Sequence, residues 1–246
     1  MTGMEYIKRE DLGSMTKLLN GGSVAGLIDQ TLLRSDATIA DIEKLCHDAA
    51  SSGFKSVCVN PCHVRLCCGL LSGTKVLVTS VIGFPLGADA QGFKAMEAER
   101  VLRDGAQEID MVMNIGLFKS GGILEASAEI GTVVQCAEHC SATVKVIIEA
   151  SLLDDREKVI ASLMVVDTGA DFVKTSTGFE GRKATVEDVR LLRRAVGPLF
   201  GVKASGGISS YRDLLEMVNA GANRIGTSSG VQILLEEQKI ETRYPS

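Results

Sequence analysis

The chain has 246 residues, 45% of them hydrophobic and 23% charged, with a formal net charge of −5 at neutral pH. That size and balance suit one soluble domain with a sizeable core, and the negative charge speaks against nucleic acid or an anionic membrane as the main partner. No apolar run reaches the roughly 18 residues that a membrane span needs, whereas a small phosphorylated ligand requires only a local nest of N–H groups.

Seven cysteines, Cys46, Cys58, Cys62, Cys67, Cys68, Cys136 and Cys140, are scattered without a CxxC pair. Residues 1–20 carry Lys8, Arg9, Glu10 and Asp11 where a secretory leader would have an apolar centre. Reduced thiols in a cytoplasmic protein are therefore expected, not a disulfide framework. Tryptophan is absent and aromatics make up 4% of the chain, so Val, Ile, Leu, Ala and Met must build the core.

In chain order, residues 1–22 are expected to form a helical leader, with Met15, Leu18 and Leu19 at helical spacing and Gly21-Gly22 ending it. Eight short β-branched runs follow: Val24–Asp29, Ser56–Asn60, Lys75–Gly83, Glu108–Asn114, Val144–Glu149, Asp171–Thr175, Leu199–Lys203 and Arg224–Gly226. Between them the apolar residues recur at a period of 3.6, as in Ile39, Ile42, Leu45, Cys46 and Ala49, or Val186, Val189, Leu192 and Val196. Thr38-x-x-Asp41, Thr185-x-x-Asp188 and Ser210-x-x-Asp213 read as capping boxes. Ser52-Gly53, Gly105-Ala106, Gly169-Ala170 and Gly221-Ala222 read as helix ends. Eight strand–helix alternations with near-continuously apolar strands predict a parallel sheet covered by helices, and eight is the number that closes a (β/α)8 TIM barrel. The expected architecture is a single α/β domain over residues 1–246 with an extra N-terminal helix.

Barrels of this kind place chemistry at the C-terminal strand ends. That rule selects Asp29, Asn60, Asp110, Asn114, Lys145, Glu149, Lys174 and Lys203. The runs Asp171–Phe179 and Leu199–Gly207 share a pattern, an apolar strand followed by Lys-x-Ser-x-Gly, at Lys174 and Lys203. Each lysine could simply pair with a carboxylate. The functional alternative is an imine-forming amine with a second cation beside it. A nucleophilic amine must be neutral, and moving lysine from about 10.4 to neutrality takes roughly 4 kcal/mol of differential destabilisation. Burial plus a neighbouring ammonium supplies that. Spacing alone leaves either lysine as the nucleophile.

Asp110 lies mid-strand among apolar residues, as a structural partner for an inward lysine or as a proton-transfer group. Lys145 is expected inward as a further cation that pairs or tunes, and it joins the candidate ligand-binding set with Thr177. Gly206-Gly207 and Gly226-Thr227-Ser228-Ser229 follow the last two strands, where such barrels commonly hold phosphate. His47, His63 and His139 form no H-E-x-x-H or strand HxH pattern, so a catalytic metal is not expected. No cofactor is expected either.

Taken together, Ile28–Leu33, Glu108–Asn114, Val144–Glu149, the run DFVKTSTGF at 171–179 and Gly201–Gly207 resemble the deoxyribose-phosphate aldolases, class I aldolases built on a TIM barrel. The resemblance implies reversible, metal-free cleavage of 2-deoxy-D-ribose 5-phosphate to acetaldehyde and D-glyceraldehyde 3-phosphate. It implies Lys174 as the Schiff-base nucleophile, Lys203 as the neighbour that lowers its pKa, and Asp110 as the proton-transfer residue. It also implies phosphate binding by Gly206, Gly207, Gly226, Ser228 and Ser229, and assembly as a homodimer or homotetramer. Two departures stand out. Gln30 occupies a position where the family commonly has histidine, and the loop at 179–185 is basic, with Arg182 and Lys183, where a glycine-rich one is expected; Lys183 is a candidate phosphate contact. Another imine-forming phosphosugar lyase, or a non-catalytic phosphate-binding barrel, are the competing readings. The presence of Lys174, Lys203 and Asp110 weighs against the second.

Overall fold

The computed structural model describes residues 23–180 and 183–243; the expected leader at 1–22 lies outside them. Eight parallel strands, β1 (Ile28–Leu32), β2 (Ser56–Val59), β3 (Leu77–Ile82), β4 (Glu108–Val112), β5 (Thr143–Ile147), β6 (Phe172–Lys174), β7 (Gly201–Ser205) and β8 (Arg224–Thr227), close into a barrel in sequence order. Their bulk comes from Val, Ile, Met and Ala, which pack on both faces as a parallel sheet covered by helices requires. The helices are α1 (Ile39–Ser52), α2 (Val64–Leu70), α3 (Phe93–Arg103), α4 (Ile115–Lys119), α5 (Ile123–Glu138), α6 (Asp155–Asp167), α7 (Val186–Val196), α8 (Tyr211–Ala220) and α9 (Gly230–Arg243).

Local sequence sets where these helices begin. Thr38 with Asp41 and Ser210 with Asp213 form reciprocal capping boxes at α1 and α8. Thr185 accepts the Asp188 N–H at the start of α7. Asp154 and Glu157 make a further box at α6, opened by an aspartate where the other two are opened by threonine and serine. Caps of this kind each contribute about 1 kcal/mol by satisfying N–H groups that have no intrahelical partner. Gly53 and Gly221 end α1 and α8 in left-handed conformation.

The first strand differs from expectation. Val24–Leu27 forms a turn of 3₁₀-helix, and β1 runs from Ile28 to Leu32. Ser23 accepts the Ala25 N–H, and the Glu237 carboxylate accepts both the Ser23 hydroxyl and the Val24 N–H. Those bonds occupy the backbone that a longer strand would have extended. Asn114 likewise lies beyond its strand: its side chain accepts the Leu117 N–H and caps α4. Glu149 stands past β5 with φ +45°.

Candidate active site

Strand register brings the ionisable residues together. Lys174 pairs with Lys203 across β6 and β7, Asp110 with Lys145 across β4 and β5, and Lys203 with Arg224 across β7 and β8. Glu108 and Asp110 are two apart on β4 and therefore share a face. Inside the barrel Asp110 meets three ammonium groups: Lys174 at 2.6 Å and Lys203 at 2.7 Å on Oδ2, and Lys145 at 2.9 Å on Oδ1. Asp29 on β1 takes Lys203 at 2.5 Å and Arg224 at 2.6 Å. Glu108 takes Lys145 at 2.7 Å, Arg224 at 2.9 Å and the Thr79 hydroxyl at 2.9 Å. All seven side chains are buried.

Four cations thus face three carboxylates, and the cluster becomes neutral when one lysine releases its proton. Buried charge is tolerated only when compensated, so the least compensated cation is the one to lose its proton. Among the described residues Lys174 has one carboxylate partner, Asp110, whereas Lys203 has two. Burial pushes the Lys174 ammonium below its ordinary pKa, and Lys203 beside it adds to the fall against the opposing pull of Asp110. Burial acts on Lys203 in the same direction, but Asp110 and Asp29 outweigh it and hold that ammonium well above the ordinary range. Asp110 is itself held well below the carboxylate range: burial opposes ionisation, and Lys145, Lys174 and Lys203 override it.

Lys174 opens onto a cavity of about 540 Å³ at the barrel mouth. Its walls include Thr177, Phe179, Gly206, Gly207, Gly226, Ser228 and Ser229, together with Arg34 and Ser35 from the loop after β1. Among the described residues Lys203, Asp110 and Lys145 lie behind that wall. Hydroxyls of the two lysine motifs lace the strand ends together. Thr175 Oγ1 donates to the Ser205 carbonyl at 3.1 Å and accepts the Ser205 N–H at 3.0 Å, while Ser205 Oγ donates to the Ser176 carbonyl at 2.6 Å. The Glu149 carboxylate accepts the Thr177 N–H at 2.9 Å and the Thr177 hydroxyl at 2.6 Å, fixing the loop after β6.

The sequence-selected residues divide on this geometry. Gly206 (φ +101°) and Gly207 (φ +73°) make a left-handed turn at the cavity wall. Gly226 lines the cavity and also makes room for the cluster, since a Cβ there would lie 3.1 Å from Lys203 Cε. Thr177 supplies wall but no free donor, because its hydroxyl proton goes to Glu149. Lys145 is placed away from the ligand cavity, with its ammonium between Glu108 and Asp110. The Lys183 stem crosses Gly207, where a Cβ would come within 2.4 Å of Lys183 Cγ, and then lines an adjoining cleft of about 820 Å³ between α6 and α7. Asn60 donates to the Leu33 carbonyl at 3.2 Å. Sequence reasoning missed Glu108 and Arg224 as members of the cluster. The available signal was the two-residue spacing of Glu108 from Asp110 and a lone arginine opening an apolar strand.

Comparison with known proteins identifies the chain's relatives. Residues 23–237 match the model of the DeoC/LacD family aldolases. The deoxyribose-phosphate aldolase of Thermococcus kodakarensis is 53% identical over 218 residues, covering 88% of this chain and 97% of that one. The deoxyribose-phosphate aldolase of Caldanaerobacter subterraneus subsp. tengcongensis is 51% identical over 218 residues, covering 88% and 94%. The solved structure of the Aeropyrum pernix deoxyribose phosphate aldolase, described as a unique tetramer, superposes with a TM-score of 0.85 at 36% identity, covering 95% of this chain and 99% of that one. With its barrel, its buried lysine cluster and a match over most of its length, this chain belongs to the DeoC/LacD family of aldolases.

Proposed function

We propose that the protein reversibly cleaves 2-deoxy-D-ribose 5-phosphate to acetaldehyde and D-glyceraldehyde 3-phosphate, with Lys174 as the imine-forming nucleophile. The observation that carries this reading is the asymmetry of the lysine pair. Lys174 borders the cavity with one carboxylate and a lowered pKa, and Lys203 sits behind it with two carboxylates and a raised one.

The neutral Lys174 amine adds to the C1 aldehyde of the open-chain sugar. The resulting carbinolamine loses water to give a protonated imine, which draws electrons from C2. Removal of the C3 hydroxyl proton then lets the C2–C3 bond break. Its electron pair becomes the enamine, and glyceraldehyde 3-phosphate departs. Protonation of the enamine at C2 and addition of water release acetaldehyde and restore the amine. Asp110, ionised and 2.6 Å from the reacting nitrogen, takes and returns protons, directly or through a water. Lys203 keeps the nucleophile's pKa low and holds a proton for Asp110 at 2.7 Å. The 5-phosphate rests against Gly206, Gly207, Gly226, Ser228 and Ser229, where glycine backbone and the N-terminus of α9 favour an anion, and the Lys183 stem crossing Gly207 keeps a cation in the adjoining cleft.

Purified protein given deoxyribose 5-phosphate should release acetaldehyde and glyceraldehyde 3-phosphate in equal amounts. No turnover by folded protein would refute the assignment. The chain is also expected to assemble as a homodimer or homotetramer, which light scattering checks; the tetramer of the Aeropyrum pernix relative supports this. Its seven free cysteines support a reducing, cytoplasmic setting, and among the described residues no helix is long and apolar enough to cross a membrane.

A further inference from the structure

Gln30 sits on β1 in register with Thr227, the last residue of β8. It is 7% exposed, and among the described residues it is not part of the cavity wall. Both ends of its carboxamide are used by one turn. Oε1 accepts the Gly230 N–H at 3.0 Å, and Nε2 donates to the Ser228 carbonyl at 3.2 Å. From the other side, Thr227 Oγ1 accepts the Ser229 N–H at 2.9 Å and donates to the Ile208 carbonyl at 2.6 Å, tying the turn to the loop after β7. The turn that carries Ser228 and Ser229 into the cavity is thus held by a side chain behind it and by its own threonine. Packing is close enough that a Cβ on Gly230 would lie 2.4 Å from Gln30 Oε1 and 2.9 Å from the Phe54 ring.

A helix start needs partners for its first N–H groups, and a turn entering it leaves a carbonyl to satisfy as well. A primary amide offers one acceptor and a donor group in a fixed plane, so a single Gln30 side chain serves both. The two bonds set the orientation of the turn and of the helix start beside the cavity.

We propose that Gln30 is a positioning residue for the phosphate subsite: it fixes the Ser228–Gly230 turn and so governs affinity for the phosphorylated substrate without entering the imine chemistry. The inference rests on the aldolase reading given above. The substrate's phosphate pays for its desolvation only if the turn already presents its donors in place. A loosened turn therefore weakens binding of the 5-phosphate and leaves the chemistry at Lys174, two strands away across β7, as it was.

The test compares 2-deoxy-D-ribose 5-phosphate with unphosphorylated 2-deoxy-D-ribose in Gln30→Ala, Gln30→Glu and Gly230→Ala. Gln30→Ala removes both bonds. Gln30→Glu keeps the shape and the acceptor but turns a carboxylate oxygen toward the Ser228 carbonyl. Gly230→Ala displaces the carboxamide without altering it. For Gln30→Ala, KM for the phosphorylated sugar should rise roughly ten-fold, as expected for losing two neutral hydrogen bonds that order a ligand site. The inhibition constant of inorganic phosphate should rise by a similar factor, with kcat and the kcat/KM for unphosphorylated sugar held within about two-fold. Gln30→Glu should lose at least as much, because it adds a repulsive charge behind the anion site. Should Gln30→Ala fail to fold, the other two variants carry the same comparison. Equal losses on both sugars, or none on either, would overturn the positioning role. A wild-type protein that turns over neither sugar and forms no imine would instead refute the aldolase reading itself.

Discussion

Two strand ends in this barrel carry the same short pattern and do different things. Lys174 at the end of β6 and Lys203 in β7 are each followed by a hydroxyl lacing and a glycine turn, and their backbones pair side by side. Yet Lys174 meets one carboxylate and borders the cavity, while Lys203 is clamped between Asp29 and Asp110 behind the wall. The difference is one of charge compensation. An ammonium with two buried carboxylates keeps its proton, and one with a single carboxylate and a cationic neighbour gives it up first. On the proposed mechanism, carboxylates contributed by β1 and β4 are what separate two similar side chains into nucleophile and tuner.

The sharpest way to break the comparison is to remove each lysine in turn. Lys174→Met should lower turnover by roughly four orders of magnitude or more, since no other amine borders the cavity among the described residues to form the imine. An activity assay with mass analysis of trapped adducts checks it. Asp110→Asn should cost on the order of 10²–10⁴-fold in kcat, the range for a lost acid–base group, with substrate KM changed far less. Lys203→Met should lower kcat/KM at neutral pH by roughly 10²-fold through a shifted pH profile. The sign follows from the pair: kcat/KM rises with pH as Lys174 loses its proton, and removing the adjacent ammonium raises the pKa of Lys174, so the acid limb moves to higher pH. An unmoved limb would mean that Lys203 does not tune its neighbour.

Stability gives a smaller reading of the same asymmetry. Because the folded pKa of Lys174 lies below its unfolded value, the unfolded chain binds more protons between the two. The stability of the native protein relative to Lys174→Met should therefore increase as pH rises through that window toward about 10.4, and denaturant titrations at several pH values measure it. At the far end of the scale, Asp154→Ala removes the cap of α6, away from the cluster, and should cost about 1 kcal/mol with turnover unchanged.

Much of this arrangement is legible in the sequence, and the reason lies in the kind of signal each feature leaves. The eight strands stand out because each is a short β-branched run between helical periods. The first is misplaced because Val24–Leu27 is equally apolar, and what winds it into a turn is Glu237 from the other end of the chain. Lys174, Lys203 and Asp110 are visible as charged residues on apolar strands. Which lysine loses its proton is not visible in the local pattern, since that depends on where Asp29 and Asp110 fall across the closed barrel. The resemblance to known aldolases supplies that choice, and the charge geometry gives it a physical cause. Thr177 and Lys145 are candidate ligand contacts in the sequence; in the structure Thr177 lines the cavity with its hydroxyl proton on Glu149, and the Lys145 ammonium stands between Glu108 and Asp110. Those partners come from other strands, so local sequence does not disclose them. Gln30, by contrast, stands out in the sequence only through the resemblance, and the bonds to Ser228 and Gly230 are what support the positioning role proposed for it.

The most direct test of the lysine asymmetry is to trap the imine. Protein incubated with acetaldehyde and reduced with borohydride should gain one ethyl group, mapped by peptide sequencing to Lys174, with Lys203 unmodified and the adduct retained in Lys203→Met at raised pH. An adduct on Lys203, or none on folded and active protein, would contradict the account.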